Sequence, residues 1–185
     1  MHAAALLVID VQQGLDDPAL GQRNNPDAEA NMALLLQAWR RHGWPVIHVH
    51  HDSVEPDSPL RPGLPGNAVK PEVQPLPGET CFRKTVNSAF IGTGLEQYLR
   101  EQGIASLVIV GLTTDHCVSA SASMASDLGY GVTVVADATA AHERPGIDGK
   151  LITAEEIHDI NLASLNGEFC RVVYTSDLLK TLEKA

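Results

Sequence analysis

Three side chains in this 185-residue sequence have types and positions suited to nucleophilic chemistry: Asp10, Lys84 and Cys117. Asp10 follows the apolar run ALLVI, Lys84 ends CFRK, and Cys117 lies in GLTTDHCV, where a helix is predicted to begin. The start of a helix carries partial positive charge, which favours a thiolate, the nucleophilic form of cysteine. A nearby Lys84 ammonium would lower the thiol pKa further, and Asp10 could pass the thiol proton to a leaving group. Together these residues predict a nucleophilic cysteine served by a carboxylate.

Each of these residues also has an ordinary structural explanation when it is considered alone. Asp10 could cap a turn, Lys84 could be a solvated surface side chain, and Cys117 could be buried and inert. Cys81 lies in a predicted strand and Cys170 directly precedes one, so both are interpreted as inert. Three cysteines without a CxxC pair are too few for a disulfide framework, which indicates a reduced, cytoplasmic protein.

The elements that must position these side chains follow a repeated pattern. Four amphipathic stretches end in a glycine that precedes a Val- and Ile-rich run, at Gly43, Gly103, Gly129 and Gly167. Glycine commonly caps a helix C-terminus, and apolar runs that barely alternate are typical of strands buried on both faces. The pattern predicts βα units around a parallel sheet, in a single α/β domain spanning residues 1–185. Strands are predicted near 4–10, 45–50, 81–84, 106–111, 131–136 and 171–175, and helices near 27–42, 93–102, 116–128 and 153–166.

One long segment lacks helical periodicity. Residues 52–79 contain seven of the eleven prolines. Only about 50 residues precede the segment, too few for a separate sheet domain, so we expect an excursion over the carboxyl ends of the strands. Ligands bind at that edge of open parallel sheets, and Asp10 and Lys84 are predicted to lie there.

The charge balance argues against two classes of partner. Thirteen basic residues against 23 acidic ones leave a net charge of −10, and Lys and Arg form no run. Nucleic acid and anionic membrane surfaces are therefore poor candidates. No apolar run approaches the roughly 18 residues that span a bilayer, and the N-terminal MHAAALLVIDV is interpreted as a strand rather than a signal peptide. A small-molecule substrate remains the expected partner.

The chain resembles the isochorismatase-like cysteine hydrolases, a superfamily that includes nicotinamidases, N-carbamoylsarcosine amidase and ureidoacrylate hydrolase. The resemblance covers almost the whole chain and is carried by ALLVIDVQ, FRKTVNSAF, GLTTDHCV and the ending FCRVVYTSDLL. It implies that Asp10, Lys84 and Cys117 form a catalytic triad. It also implies a three-layer, Rossmann-like α/β fold, with a six-stranded parallel sheet of order 3-2-1-4-5-6 flanked by helices. A homo-oligomer, dimer or tetramer, is expected.

The resemblance also implies a reaction. Cys117 would attack the carbonyl of a small amide, ureido or N-carbamoyl compound, and ammonia or an amine would leave with a proton from Asp10. Water would then hydrolyse the thioester. A cis peptide bond between Leu112 and Thr113 would aim the N–H groups of Thr113 and Cys117 at the developing oxyanion. No cofactor is implied.

Three histidines close the second predicted strand: His48, His50 and His51. His48 and His50 share one face of that strand, so they could bind a metal. Nicotinamidases of the superfamily hold a metal after this strand, on an Asp-x-His motif and a further histidine downstream. That motif is missing here, and residues 52–79 contain no histidine. No metal site is expected, although the sequence leaves open whether the cluster ever binds one.

Candidate pocket residues lie at or just after predicted strand ends: Gln12, His50, Phe90 and His142. A packing role explains each of them equally well. His116 could pair with Cys117, but adjacent helical residues point in different directions and the superfamily uses no histidine base there. The pocket is expected to be built by residues 52–79, the residues after Asp10 and the 137–149 loop, and the sequence leaves open whether a neighbouring subunit completes it.

Other functions compete with an amide hydrolase. A haloacid-dehalogenase-like phosphatase would use Asp10 as its nucleophile, but it needs a second Asp where Gln12 stands. A non-catalytic small-molecule-binding or redox-sensing protein would explain Cys117 but not Lys84 or the GLTTDHC turn. Within the superfamily, isochorismatase itself is a vinyl-ether hydrolase that lacks the nucleophilic cysteine, so Cys117 favours cleavage of a C–N bond.

Overall fold

A six-stranded parallel sheet lies at the centre of the computed structural model, which describes residues 4–182. The strands are β1 (Ala5–Ile9), β2 (Val46–His51), β3 (Thr80–Lys84), β4 (Ser106–Leu112), β5 (Gly131–Ala140), β6 (Arg144–Pro145), β7 (Leu151–Ile152) and β8 (Arg171–Val173). The main sheet has the order β3-β2-β1-β4-β5-β8, whereas β6 and β7 form a separate antiparallel pair. Because β8 is the sixth strand of the main sheet, the predicted order is confirmed.

Helices cover both faces of the sheet. They are α1 (Ala28–His42), α2 (Leu95–Glu101), α3 (Ser119–Asp127), α4 (Ala154–Leu165) and α5 (Thr175–Leu182). Apolar residues of α1 and α5 pack on one face, and those of α2, α3 and α4 pack on the other. The α/β fold with helices on both faces of a parallel sheet is thus the predicted three-layer architecture.

Strand β1 shows why the sheet is buried on both sides. All five of its residues are buried. Successive side chains point to opposite faces, so Leu7 and Ile9 join one core while Leu6 and Val8 join the other. Apolar residues at consecutive positions are therefore required here, because neither face of the strand contacts water.

The structure differs from the predicted elements at four places, one of which is the unpredicted pair β6–β7. Strand β5 continues to Ala140 instead of ending near 136, because after extra residues in β5 its Thr139 and Ala140 pair again with Gly111 and Leu112 of β4. A wide π-type turn, Thr114–Val118, precedes α3, so that helix begins later than predicted. Helix α5 was not predicted. Its first residue donates backbone and hydroxyl hydrogen bonds, both of 2.8 Å, to Asp137 of β5, a contact that local sequence does not reveal.

The segment 52–79 crosses the carboxyl ends of β1 and β2, as expected. It contains short 3₁₀ turns at Pro65–Asn67 and Pro71–Val73. Backbone hydrogen bonds tie it to the chain after β1, from Lys70 to Val11 and from Gln13 to Ala68. The buried Lys70 ammonium also lies 2.6 Å from Glu29 of α1. These contacts hold the segment against the edge of the sheet where ligands bind.

Within residues 4–182, no helix is both long enough and apolar enough to cross a membrane.

Candidate active site

The carboxyl edge of the sheet brings the three predicted catalytic side chains together. Asp10 is the first residue after β1, Lys84 is the last residue of β3, and Cys117 lies in the π-type turn after β4. Strand β2 separates β1 from β3, so the Lys84 side chain must reach across the end of β2 to meet Asp10. The backbone of Asp10 has a positive φ of 51°, and its N–H donates to Val49 of β2.

The Lys84 ammonium is the centre of the site. Its Nζ lies 2.6 Å from Asp10 Oδ2 and 3.2 Å from Cys117 Sγ. It also donates to the backbone oxygen of Val86 at 3.0 Å and lies 3.1 Å from His51 Nδ1. Asp10 and Lys84 are each 1% exposed, so their ion pair is shielded from water. Lys84 is therefore a buried part of the site, rather than a solvated surface residue.

Burial controls the protonation of the two reactive groups. Desolvation raises the pKa of Asp10 to about 6, against the lowering effect of the Lys84 charge. Burial and the neighbouring Asp10 carboxylate raise the pKa of the Cys117 thiol to about 12, although Lys84 acts in the opposite direction. Lys84 lowers the pKa of the thiol, as expected, but burial and Asp10 raise it by more, so the expected net lowering of the Cys117 pKa is wrong. At neutral pH the resting site holds a thiol beside a carboxylate.

One oxygen of Asp10 is left free to receive a proton. Its Oδ2 pairs with Lys84, while the buried Oδ1 has no hydrogen-bond partner among residues 4–182. A carboxylate oxygen of Asp10 lies within 4.8 Å of Cys117 Sγ. Because a buried acceptor without a partner is unfavourable and the carboxylate lies close to the sulfur, Asp10 is suited to take the thiol proton as a bond to carbon forms.

A cavity of about 630 Å³ opens in front of Cys117. Asp10, Thr113 and Cys117 lie in its wall, together with several leucines and the hairpin residues Arg144 and Pro145. The peptide bond between Leu112 and Thr113 is cis, at the position that the resemblance implied. Such a cavity offers a small molecule one reactive wall and a largely apolar surround.

The structure places one of the four candidate pocket residues in the wall of this cavity, His142. Gln12 is fully buried and binds the backbone of His51 and Asn67 instead. His50 faces His48, with a distance of 6.1 Å between the ring centroids, and Phe90 packs against Tyr130. These three residues lie outside the cavity lining because their side chains point into the structure beside or beneath it.

Two residues of the cavity wall, Asn87 and His116, were not predicted to lie there, whereas His51 follows a predicted strand and was expected at the pocket edge. His51 contacts Lys84, and Asn87 Oδ1 lies 3.9 Å from Cys117 Sγ. His116 also lines the cavity, where its Nε2 lies 2.8 Å from Nη1 of Arg144. Arg144 in turn pairs with Asp115. Arg144 lies in the 137–149 loop that was expected to build the pocket, but its contacts with Asp115 and His116 required the tertiary structure.

The ligand geometry does not favour a metal at this site. Among the described residues, Asp10, His51 and Cys117 form the one group of potential ligands close enough to share an ion. The Lys84 ammonium lies within 3.2 Å of a ligand atom of each of them. A cation placed between the three would therefore meet a positive charge that already occupies their shared centre.

Comparison with known proteins agrees with this architecture. A family model described as "Isochorismatase domain" matches residues 4–177. The uncharacterized isochorismatase family protein YrdC of Bacillus subtilis (strain 168) is 42% identical over 180 residues, which cover 97% of this chain and 96% of that protein. An isochorismatase-family crystal structure from Chromobacterium violaceum ATCC 12472 has a TM-score of 0.95 and 49% identity, and the match covers 98% of this chain and 94% of that one.

A more distant relative has a name that states an activity. Maleamate amidohydrolase of Pseudomonas putida is 28% identical over 195 residues, which cover 96% of this chain and 86% of that protein. Because the family model and the first relative each span nearly all of this sequence, the chain belongs to the isochorismatase family of hydrolases.

Proposed function

We propose that this protein hydrolyses a C–N bond of a small amide, ureido or N-carbamoyl compound through a thioester on Cys117. The observation that carries the proposal is the Lys84 ammonium, which contacts both Asp10 and Cys117 at the wall of an open cavity. A buried carboxylate, a buried ammonium and a thiol are the groups that nucleophilic acyl transfer needs. The name of the maleamate amidohydrolase relative supports the same reaction class.

The proposed reaction begins with transfer of the thiol proton. Asp10 accepts the proton from Cys117 as Sγ forms a bond to the substrate carbonyl carbon, and the carbonyl π electrons move to oxygen. Negative charge thus passes from Asp10 by way of the sulfur to the carbonyl oxygen, and Lys84 stabilises it at the start of that path because it contacts both Asp10 and the sulfur. Because burial and Asp10 raise the pKa of the thiol, attack together with proton transfer is favoured over attack by a standing thiolate.

The tetrahedral intermediate then collapses. The C–N bond breaks, the nitrogen takes the proton held by Asp10, and ammonia or an amine leaves the thioester behind. Backbone N–H groups of Thr113 and Cys117, both in the cavity wall, are the proposed donors to the oxyanion. Water attacks the thioester carbon, gives a proton to Asp10, and the thiol is restored when Asp10 returns that proton to sulfur.

The test is ammonia release from a panel of small amides, ureas and N-carbamoyl compounds. We expect the natural protein to hydrolyse at least one compound of the panel. Cys117→Ala should hydrolyse none of them. Trapping of an acylated Cys117 peptide by mass spectrometry after acid quenching would identify the intermediate. Equal turnover by the natural protein and Cys117→Ala would contradict the proposal.

A further inference from the structure

His51, the last residue of β2, is held firmly at the edge of the active site. The side chain of Gln12 clamps its backbone: Gln12 Oε1 accepts from the His51 N–H at 2.8 Å, and Gln12 Nε2 donates to the His51 carbonyl at 3.0 Å. Asn67 Nδ2 donates to the same carbonyl at 3.0 Å. Three hydrogen bonds from two separate segments fix the backbone from which the imidazole projects, so the position of the ring is well defined.

The contact with Lys84 determines where the imidazole carries its hydrogen. Lys84 Nζ lies 3.1 Å from His51 Nδ1. An ammonium group has three hydrogens, and Lys84 Nζ has four neighbours: Asp10 Oδ2, the Val86 carbonyl, Cys117 Sγ and His51 Nδ1. Because the thiol sulfur is the weakest acceptor of the four, we assign the third hydrogen to Nδ1. Burial, and then the Lys84 charge, lower the pKa of His51, which keeps the ring neutral. A neutral imidazole that accepts at Nδ1 bears its hydrogen on Nε2, and no lone pair of the ring is left to act as a base.

His51 also borders the cavity in which the substrate is proposed to bind. His51 lies in the cavity wall with Cys117, and one of its ring nitrogens is within 4.8 Å of both Cys117 Sγ and the Asp10 carboxylate. We propose that His51 binds the substrate by donating a hydrogen bond from Nε2 to an oxygen or nitrogen acceptor of the amide held in front of Cys117. This inference rests on the proposed function, and it assigns His51 a binding role rather than a role as general base.

The inference can be tested with two reagents that modify Cys117 differently. Iodoacetamide carries an amide that can accept the Nε2 hydrogen bond, whereas allyl bromide alkylates thiols and carries no oxygen or nitrogen acceptor. The second-order rate constant of each reagent at Cys117 is measured by peptide mass spectrometry, and their ratio reports recognition of the amide. Loss of reactivity at the thiol itself lowers both rate constants and leaves the ratio unchanged.

Two substitutions at His51 distinguish the effect of its N–H donor from the effect of the shape of its ring. His51→Asn keeps an acceptor near the position of Nδ1 but has no atom near Nε2, so the ratio is expected to fall about 3- to 10-fold, the usual effect of one hydrogen bond. His51→Gln places an amide N–H near the position of Nε2 and is expected to recover most of the ratio. His50→Asn is the matched control from the same strand, with its side chain outside the cavity, and the ratio should stay within about twofold.

The outcomes distinguish the binding role from its alternatives. An unchanged ratio in His51→Asn would overturn the proposal, because His51 would then act only through Lys84. An equal fall in His51→Asn and His51→Gln would also overturn it, because ring shape rather than the donor would matter. If the ratio behaves as expected while no amide in the panel is hydrolysed, the binding role stands and the proposed function fails.

Discussion

The position of one proton separates the resting site from the reactive site. In the resting state the thiol of Cys117 keeps its hydrogen, because burial and the Asp10 carboxylate both raise its pKa. Asp10 remains the stronger acid of the two, with a pKa of about 6, so it is ionised at neutral pH and paired with Lys84. The nucleophile is therefore generated when substrate is present, which protects the buried thiol from unproductive reactions.

Replacement of the nucleophile should separate activity from stability. Cys117→Ala is expected to abolish turnover and to leave the thermal midpoint within a few degrees, because the sulfur borders an open cavity rather than filling a core. Cys170→Ala is the matched control, since Cys170 is buried in the core. It should keep turnover and lose about 1 kcal/mol of stability through loss of packing. Ammonia release and thermal denaturation check both variants, and full activity in Cys117→Ala would contradict the assignment.

The titration of Asp10 should appear in the pH dependence of kcat/KM. Above a pH of about 6 the carboxylate is ionised and can accept the thiol proton; below it, Asp10 is protonated and cannot. We therefore expect kcat/KM to fall tenfold per pH unit below a midpoint near pH 6. Asp10→Asn should be inactive at every pH. A profile that stays flat down to pH 5 would rule out Asp10 as the base.

Removal of Lys84 should reduce the reactivity of Cys117. The Lys84 charge lowers the thiol pKa, so its loss in Lys84→Ala should raise that pKa further and slow alkylation by iodoacetamide at least tenfold. Lys70→Ala is the control for loss of a buried ammonium, since Lys70 pairs with Asp16 and Glu29 outside the cavity. Lys70→Ala should be destabilised with normal alkylation of Cys117. Equal alkylation rates in the two variants would contradict the role of Lys84.

At the scale of elements, the site depends on how closely β1 approaches β4. Asp10 directly follows β1, and the turn that carries Cys117 follows β4. The two strands pair from Ala5 to Ile9, and their last pair joins Ile9 to Gly111. Any change that moves these strands apart also separates the base from the nucleophile, although neither residue is itself altered.

Gly111 is the position at which the close packing of β1 against β4 can be tested. Its φ is 131°, and a Cβ added there would overlap the carbonyl oxygen of Ile9 and lie 2.7 Å from its backbone nitrogen. Gly111→Ala should therefore cost several kcal/mol of stability and most of the activity. Gly129→Ala is the control: its φ is 87°, but the added methyl group meets nothing within 4 Å. It should lose only about 1 kcal/mol and keep activity, as measured by urea denaturation and ammonia release. A stable, active Gly111→Ala would show that the strands can separate without harm.

The β6–β7 hairpin is the element that gives the cavity its charged rim. Arg144 and Pro145 of β6 and Leu151 of β7 lie in the cavity wall. Arg144 connects the hairpin to the turn of the nucleophile through Asp115 and His116. We therefore expect this short hairpin, which is distant from Cys117 in sequence, to contribute to substrate selection.

At the scale of the whole molecule, we propose that the protein forms a homo-oligomer. Large apolar side chains are exposed on and beside the segment 52–79, including Val54, which is 72% exposed, Leu64, Leu76 and Ile91. Exposed apolar residues of this kind are common at interfaces between subunits. Light scattering at micromolar concentration is expected to give a multiple of 19.8 kDa. Val54→Asp should shift the mass toward a single chain if this surface forms the interface. A particle of about 20 kDa from the natural protein would contradict the proposal.

The sequence by itself determined the six strands of the main sheet, four of the five helices in residues 4–182, and the three residues at the carboxyl edge of the sheet. Glycine caps, apolar runs and the motifs around Asp10, Lys84 and Cys117 are local signals, so they can be found without coordinates. Only the tertiary structure decided the Cys117 pKa, because desolvation depends on every group that surrounds the thiol. It also showed that His51 rather than His50 lines the cavity. The Lys84 side chain of β3 reaches across the end of β2 and contacts His51 there. Nothing local to either histidine encodes that difference, since both are buried or half-buried at the same strand end.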